Sequence, residues 1–234
     1  MQRYFALKKE NNNFILTDGD YYHISTVMRM KNNEKVEVVL DNMLYICEVI
    51  YKDNIEIREI EKVSEMEKDI NVTLILPLLK EQKQDLIIQK STELGVKKII
   101  FLNTERSIVK IEEKKKIDKL NRWYKIAKEA SEQSKRLDIP VIELKESFKD
   151  LEGIQGKNIV CDTKIKNSIK NTLKKLDKYD TINIVIGPEG GLSDKEIKYL
   201  NQIGFESISL GNRILRVETV PLYILSIINY EVME

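Results

Sequence analysis

The stretch INIVIGPEGGLSDKEI, residues 182–197, decides the fold. It opens as an apolar strand, runs directly into GPEGG, and leaves that loop as a helix. Ser193 and Glu196 make an S-x-x-E capping box, which fixes the helix start. Gly187, Gly190 and Gly191 remove three side chains where the backbone leaves the carboxyl edge of a sheet. Open α/β sheets bind ligands at that edge, and glycine lets a ligand approach main-chain groups closely. The spacing is not G-x-G-x-x-G and no G-K-[ST] follows, so neither the dinucleotide fingerprint nor a Walker loop is present. Glu189 would repel a phosphate. The loop therefore suits a ligand that is neutral or cationic at this point, a sulfonium or an amino group rather than a pyrophosphate.

Outward from this loop the same alternation repeats. Upstream, VTLILPLL (72–79) is a nearly continuous apolar run, as expected of a buried parallel strand. A helix pattern follows in QKQDLIIQKSTELG and closes at Gly95. KKIIFL (97–102) is the next strand, and residues 114–136 carry a charged helix with the single tryptophan, Trp123. VIEL, NIVCD and SISLG complete a set of short strands with helical segments between them. Strand-then-helix alternation predicts an open parallel sheet covered by helices. Downstream, SLGNRILRVETVPLYILSIINYE (209–231) ends a strand at Leu210, turns at Gly211 and Asn212, and presents Arg213, Arg216 and Glu218. An apolar helix follows, with Pro221 tolerated in its first turn. FLNTERSIVK (101–110) ends another strand and delivers Thr104, Glu105, Arg106 and Ser107.

Residues 1–70 read differently. FILTDGDYYHI, KVEVVL, LYICEVI and NIEIREI are β-rich and separated by turn-like NNN, KNNE, LDN and YKDN. This spacing predicts a small β-barrel, with a helical turn or two over His23 to Met30. The charged stretch EKVSEMEKDI (61–70) reads as a linker, which sets domains at 1–70 and 71–234.

Composition narrows the function classes. The chain has 234 residues, 42% of them hydrophobic, enough for a proper core. The net charge is +1, which argues against a polybasic coat protein and by itself gives no hint of a nucleic-acid partner. That charge is uneven: residues 1–70 hold 10 Lys+Arg against 14 Asp+Glu, and residues 80–136 hold 16 against 9. A phosphate-facing surface built from Lys114, Lys115, Lys116, Lys119, Arg122, Lys125, Lys135 and Arg136 is one reading of the second segment; a solvated helix surface is the other. Cys47 and Cys161 lie far apart in apolar stretches and read as free thiols in a reducing compartment. With His23 the single histidine and no Cys-x-x-Cys, a structural zinc site, a Cys-His pair and a Ser-His-Asp triad are excluded. No metal is expected. MQRYFALKKE carries no export signal and no apolar run reaches membrane-spanning length, so a cytoplasmic protein is expected.

GPEGGLSDKEI and LGNRILRVET, with TERSIVK and RWYKIAKEASEQSKRLDIP upstream, resemble the RsmE family of 16S ribosomal RNA uridine-N3 methyltransferases, of the SPOUT class. HISTVMRMKNNEKVEVV resembles that family's PUA-like RNA-binding barrel, so the likeness covers nearly the whole chain. It implies an α/β methyltransferase domain whose end is threaded into a trefoil knot, an exception to the usual connection rules. It also implies S-adenosylmethionine as cofactor, 16S rRNA or the small ribosomal subunit as partner, and a homodimer. Matched residue by residue, Gly187, Glu189, Gly190 and Gly191 correspond to the middle cofactor loop. Leu210, Gly211, Ile214, Leu215 and Arg216 correspond to the last, and Thr104 flanks the cofactor from the first. The chain departs from the family at Val220, where a small residue is usual.

Uridine N3 carries a proton in its neutral form, so the site must remove it or stabilise the anion. Glu218 is the candidate base, and Arg216 or Arg106 the candidate cation. N3 lies on the Watson–Crick edge, so the target must be unpaired or extruded. Tyr22, His23 and Arg29 are candidate RNA contacts in the barrel; Arg122 and Arg136 are candidates in the basic segment. The alternatives are a non-catalytic RNA-binding protein of the same fold, a related methyltransferase acting on another RNA such as tRNA, and a Rossmann-like metabolic enzyme.

Overall fold

The computed structural model describes residues 1–64, 70–174 and 181–232. By internal contacts the chain forms two compact units, Met1–Glu67 with Lys128–Ile139, and Lys68–Ala127 with Pro140–Glu234. The segment Lys128–Ile139 thus clusters with the first unit, whereas a division at residue 70 assigns it to the second.

In the first unit, β1 (Arg3–Phe5), β2 (Lys8–Glu10) and β3 (Asn13–Ile15) are followed by α1 (Asp18–Tyr22) and a π-helical turn, His23–Val27. β4 (Lys35–Leu40), β5 (Met43–Tyr51) and β6 (Ile55–Ser64) complete the sheet, in the order β1-β4-β5-β6-β3-β2. β1 and β2 sit at opposite ends of that order but are nearly consecutive in sequence. Between them, Ala6 N donates to Val39 O at 2.9 Å and Leu7 N to Ile15 O at 2.8 Å. One stretch of chain therefore joins both ends of the ladder, and the sheet curls back on itself as a small barrel does. The interior holds Tyr4, Phe14, Val36, Val38, Cys47, Val49 and Ile57, every second residue of their strands where the pleat is regular.

Two expectations for this unit change. FILTDGDYYHI is strand only as far as Ile15, because Thr17 and Asp20 cap each other reciprocally and start a helix there. The stretch expected as a linker begins as strand, since β6 continues to Ser64; residues 65–69 lie outside the described residues.

The second unit contains, in chain order, β7 (Asn71–Pro77), α2 (Glu81–Glu93), β8 (Lys98–Leu102), α3 (Lys116–Gln133), whose last residues belong to the first unit, and β9 (Val141–Lys145). β10 (Lys157–Cys161), α4 (Ile169–Leu173), β11 (Thr181–Val185), α5 (Asp194–Gln202), β12 (Glu206–Ile208) and α6 (Thr219–Val232) follow. Every pairing in the order β12-β10-β11-β7-β8-β9 is parallel. β7 lies inside the sheet with six of its seven residues buried, which explains its unbroken apolar run. The chain winds outward from β7 through β8 to β9, then returns to the other side of β7 for β10 to β12. That reversal is a topological switch point, where such sheets open a crevice beyond the strand ends. Gly95, at φ +88°, ends α2 as its sequence position suggests. Phe101 and Trp123 pack with ring centroids 4.8 Å apart. Among the described residues, no helix is long and apolar enough to cross a membrane. Cys47 and Cys161 are both free, and burial pushes the Cys47 thiol up to about 12.

Candidate functional site

The carboxyl ends of β8, β10, β11 and β12 all feed loops, and three of these enclose a cavity of about 380 Å³ with Arg106 of the fourth in its wall. The middle loop contributes Ile186 to Leu192, the last loop contributes Ser209 to Gly211 and Arg213 to Val217, and the loop after β10 contributes Cys161 to Lys164. Of the residues singled out in the sequence, Gly187, Glu189, Gly190, Gly191, Leu210, Gly211, Ile214, Leu215, Arg216 and Arg106 line this cavity. Thr104 and Glu218 stand outside its wall.

The middle loop is shaped by its glycines. Gly191 has φ +69° and donates to Pro188 O at 2.8 Å, closing a turn that L side chains rarely adopt. A Cβ on Gly187 would lie 3.0 Å from Leu192 N and 3.1 Å from Leu192 Cγ, so the loop folds onto the space where a side chain would be. Gly190 is less constrained, since a Cβ there meets only Arg106 carbons at 3.5 Å or more. At the loop's exit, Ser193 Oγ accepts from Glu196 N at 3.2 Å while Glu196 carboxylate accepts from Ser193 N at 2.8 Å. The capping box expected from S-x-x-E is therefore present. Glu196 does more than cap: its other oxygen accepts from Glu105 N at 2.9 Å, which ties the loop after β8 to the start of α5.

Arg106 donates to Gly190 O at 2.6 Å. Its guanidinium is thus already committed to the middle loop, which makes it a loop support more than a free cation. Thr104 shares a 2.8 Å hydroxyl hydrogen bond with Ser107 and shapes its own turn. Arg213 and Arg216 are exposed, and among the described residues their guanidinium groups make no hydrogen bond or ion pair.

Behind the cavity stands Lys83, on the first turn of α2. Its ammonium lies 2.6 Å from Glu189 Oε1 and 3.2 Å from Glu218 Oε2. The two acids in turn raise the lysine's pKa, with Glu189 the larger influence. The Glu189 carboxyl is held below the usual range, chiefly by the Lys83 hydrogen bond. Glu218 is lowered too, first by a backbone N–H and then by Lys83. A carboxylate held in its charged form this way is a weak base. Sequence reading singled out Glu189 and Glu218 and missed the lysine between them. The loop after β10, with Cys161 and Asp162 in the wall, was missed as well.

The candidate RNA contacts separate into exposed and committed groups. Tyr22 is exposed, and Arg29, at φ +50° beyond the π-helical turn, is exposed as well. His23 is part-buried, and its Nδ1 shares a 2.9 Å hydrogen bond with the Tyr4 hydroxyl, so that nitrogen serves the barrel. Arg122 pairs with Glu81 at 2.5 Å and with Asp85. Arg136 forms a two-point pair with Asp138 at 3.0 and 3.2 Å and has a side chain only 9% exposed. The lysines nearby are also paired: Lys114 and Lys115 with Glu112, Lys116 with Glu113 and Glu146, Lys135 with Glu37.

The wall therefore combines the glycine-bared main chain and aliphatic side chains with two carboxylates, Asp162 and Glu189, and with the cations Arg106, Lys164, Arg213 and Arg216. The aliphatic part of that lining suits an apolar or flat body, and its two carboxylates are the groups suited to a cationic centre.

Comparison with known proteins agrees with this geometry. Residues 66–229 match the model of an RNA methyltransferase domain, and residues 12–60 match an RNA methyltransferase PUA domain. The chain is similar to the ribosomal RNA small subunit methyltransferase E of Bacillus subtilis, with 37% identity across 99% of this chain and 97% of that protein. It is similar at 36% identity to the protein of the same name from Mesomycoplasma hyopneumoniae, across 97% of this chain and 98% of the relative. Among solved structures it resembles a methyltransferase of Legionella pneumophila in complex with the cofactor SAM. The TM-score is 0.88 and the identity 25%, over 98% of this chain and 97% of that one.

Proposed function

The chain belongs to the ribosomal RNA small subunit methyltransferase E family, and from that premise we propose that it uses S-adenosylmethionine to methylate N3 of a uridine in small-subunit (16S) ribosomal RNA. The observation that carries this reading is the cavity beyond the carboxyl ends of β10, β11 and β12. It is walled by GPEGG and LGNRILR, and Glu189 is a carboxylate in its lining. When bound, S-adenosylmethionine supplies an activated methyl group on a sulfonium. The glycine-shaped middle loop and the aliphatic residues Leu210, Leu215 and Val217 would hold its body, and Glu189 would face its positive charge.

The substrate must present N3 as an anion or lose its proton during attack. The low basicity of Glu218, and its place outside the cavity wall, favour stabilisation of the anion over abstraction by this residue. Arg216 is the cation best suited to that role, since it lines the cavity and its guanidinium has no partner among the described residues. Arg213, one turn of loop away, is suited to the target's phosphate. Tyr22 and Arg29 of the barrel remain the exposed groups for flanking RNA. A homodimer, and action in the cytoplasm where ribosomes are made, complete the proposal; exposed Tyr223 and Tyr230 on α6 supply surface for a subunit contact.

Deleting the gene and mapping primer-extension stops along small-subunit rRNA tests the reading. N3 methylation blocks pairing, so one stop should vanish on deletion and return when the gene is restored. An unchanged set of stops would overturn the uridine-N3 assignment.

A further inference from the structure

Lys83 lies on a helix that carries none of the cavity wall, 106 residues in sequence from Glu189. Its ammonium nevertheless touches two carboxylates that belong to different loops. Glu189 is the centre of GPEGG, and Glu218 follows Arg216 by two residues at the end of the last loop. Both oxygens are within 3.2 Å of one nitrogen. Two carboxylates this close repel each other unless a cation lies between them. We propose that Lys83 is a positioning residue for the methyl-donor site: by bridging Glu189 and Glu218 it holds the middle and last loops at the separation the cofactor needs. This rests on the S-adenosylmethionine reading above.

Three features favour a positioning role over an ordinary surface pair. The Lys83 side chain is 31% exposed and that of Glu218 only 17%, so that arm of the bridge is partly shielded from water, whereas the Glu189 arm, 54% exposed, is open to it. The two loops share no main-chain hydrogen bond with each other among those of the described residues. Beyond β10, which pairs with the strands that feed both loops, their ends are joined through side chains, and Lys83 reaches both. The other charges around the bridge are Lys80 from the start of α2 and Arg216 from the last loop, and Arg106 holds the middle loop from its opposite side. None of these forms an ion pair with both carboxylates.

The charge arrangement makes a distinctive forecast. With Lys83 in place, Glu218 is the bridge's second anchor, so Glu218→Gln should loosen the last loop and weaken cofactor binding. With Lys83 replaced by methionine, Glu218 becomes a repelling neighbour of Glu189, so the same change should strengthen binding. A residue serving only helix stability would show no such reversal of sign. This is a double-mutant cycle in which the coupling, not either single loss, is the reading.

The experiment is calorimetric titration of S-adenosylmethionine into wild type, Lys83→Met, Lys83→Arg, Glu218→Gln and the Lys83→Met/Glu218→Gln double variant, with thermal unfolding followed for each. Lys83→Met should weaken binding about tenfold, and Lys83→Arg should restore it to within about threefold of wild type. Glu218→Gln should weaken binding a few-fold alone and recover about threefold in the methionine background. Should Lys83→Met fail to fold, the arginine and glutamine variants decide: binding by Glu218→Gln equal to wild type would overturn the proposal. Wild-type affinity in Lys83→Met, or no recovery in the double variant, would overturn it equally. Absence of binding by wild type would instead overturn the cofactor reading on which it rests.

Discussion

The basic segment before the sheet's third strand and the loop after its last strand carry the same residue types to different ends. In residues 80–136 positive charge exceeds negative by seven, yet the cations are mostly answered within the protein. Lys90 pairs with Glu93, Lys98 with Glu143, Lys116 with Glu113 and Glu146, and Arg122 with Glu81 and Asp85. The last loop has only two arginines, Arg213 and Arg216, but both are exposed and unpaired among the described residues. A sum of charges along a sequence therefore says little about which cations remain available to RNA. Availability is set by the neighbours that folding supplies.

The contrast can be broken by mutation. The largest effect is expected at Arg216. Arg216→Ala should fold normally and bind S-adenosylmethionine within a few-fold of wild type, yet lose about 100-fold or more in turnover, as expected when a donor aimed at developing charge is removed. Methyl incorporation into small-subunit RNA measures this; near-normal turnover would remove Arg216 from the chemistry.

Next comes a pair of glycine substitutions in the middle loop. A Cβ at Gly187 would press on Leu192 N at 3.0 Å, whereas one at Gly190 makes only ordinary contact with Arg106. Gly187→Ala should cost about 1–3 kcal/mol of stability through the forced backbone shift and weaken cofactor binding. Gly190→Ala should be far milder by the same denaturation and titration measurements. Equal behaviour of the two variants would contradict the loop geometry.

A smaller effect separates the two cation groups directly. Arg213→Ala should weaken RNA binding and reduce the slope of log affinity against log salt by about 1, the signature of one lost phosphate contact. Arg122→Ala should leave that slope unchanged and cost about 1 kcal/mol of stability, because it removes ion pairs that are only partly exposed. If Arg122→Ala flattens the salt slope as much as Arg213→Ala does, the basic helix contacts RNA after all.

The smallest effect is a pH dependence. Glu189 and Glu218 have folded-state pKa values below the usual glutamate range. Their contribution is present above the unfolded value and is lost as pH falls through the folded one. Thermal stability should therefore decline on acidification below about pH 4.5 more steeply in wild type than in Glu189→Gln. Parallel profiles would show that the bridge adds nothing to stability.

Much of this arrangement was legible beforehand because it is local. GPEGG runs straight from strand to capping box within sixteen residues, and each part has its own chemical signature. The parallel strands announced themselves through unbroken apolar runs such as VTLILPLL. What could not be read joins distant residues. Lys83 sits in a helix whose sequence suggests only a charged surface, and nothing near it hints at Glu189 or Glu218. The second hydrogen bond of Glu196, to Glu105 N across 91 residues, adds a tertiary duty to a residue whose local duty was obvious. Arg122 and Arg136 show the complementary limit: a pattern of cations shows charge but hides the acids that pair with it. In the barrel, Thr17 ended a strand that β-propensity would have extended, since a reciprocal cap outweighs the preference of the residues around it.

The sheet order has a consequence for how the protein is made. β7 lies between β8, which follows it closely, and β11, which is synthesised about a hundred residues later. Until β11 emerges, one side of a strand with six buried residues has no partner, and long-range parallel pairing is slow to form. The cavity needs still later chain, since its last wall follows β12. A growing polypeptide can thus complete most of its helices while remaining unable to hold a methyl donor. Competence arrives in one late step, and premature chains that stop short of β11 should expose β7 and fall to aggregation or proteolysis.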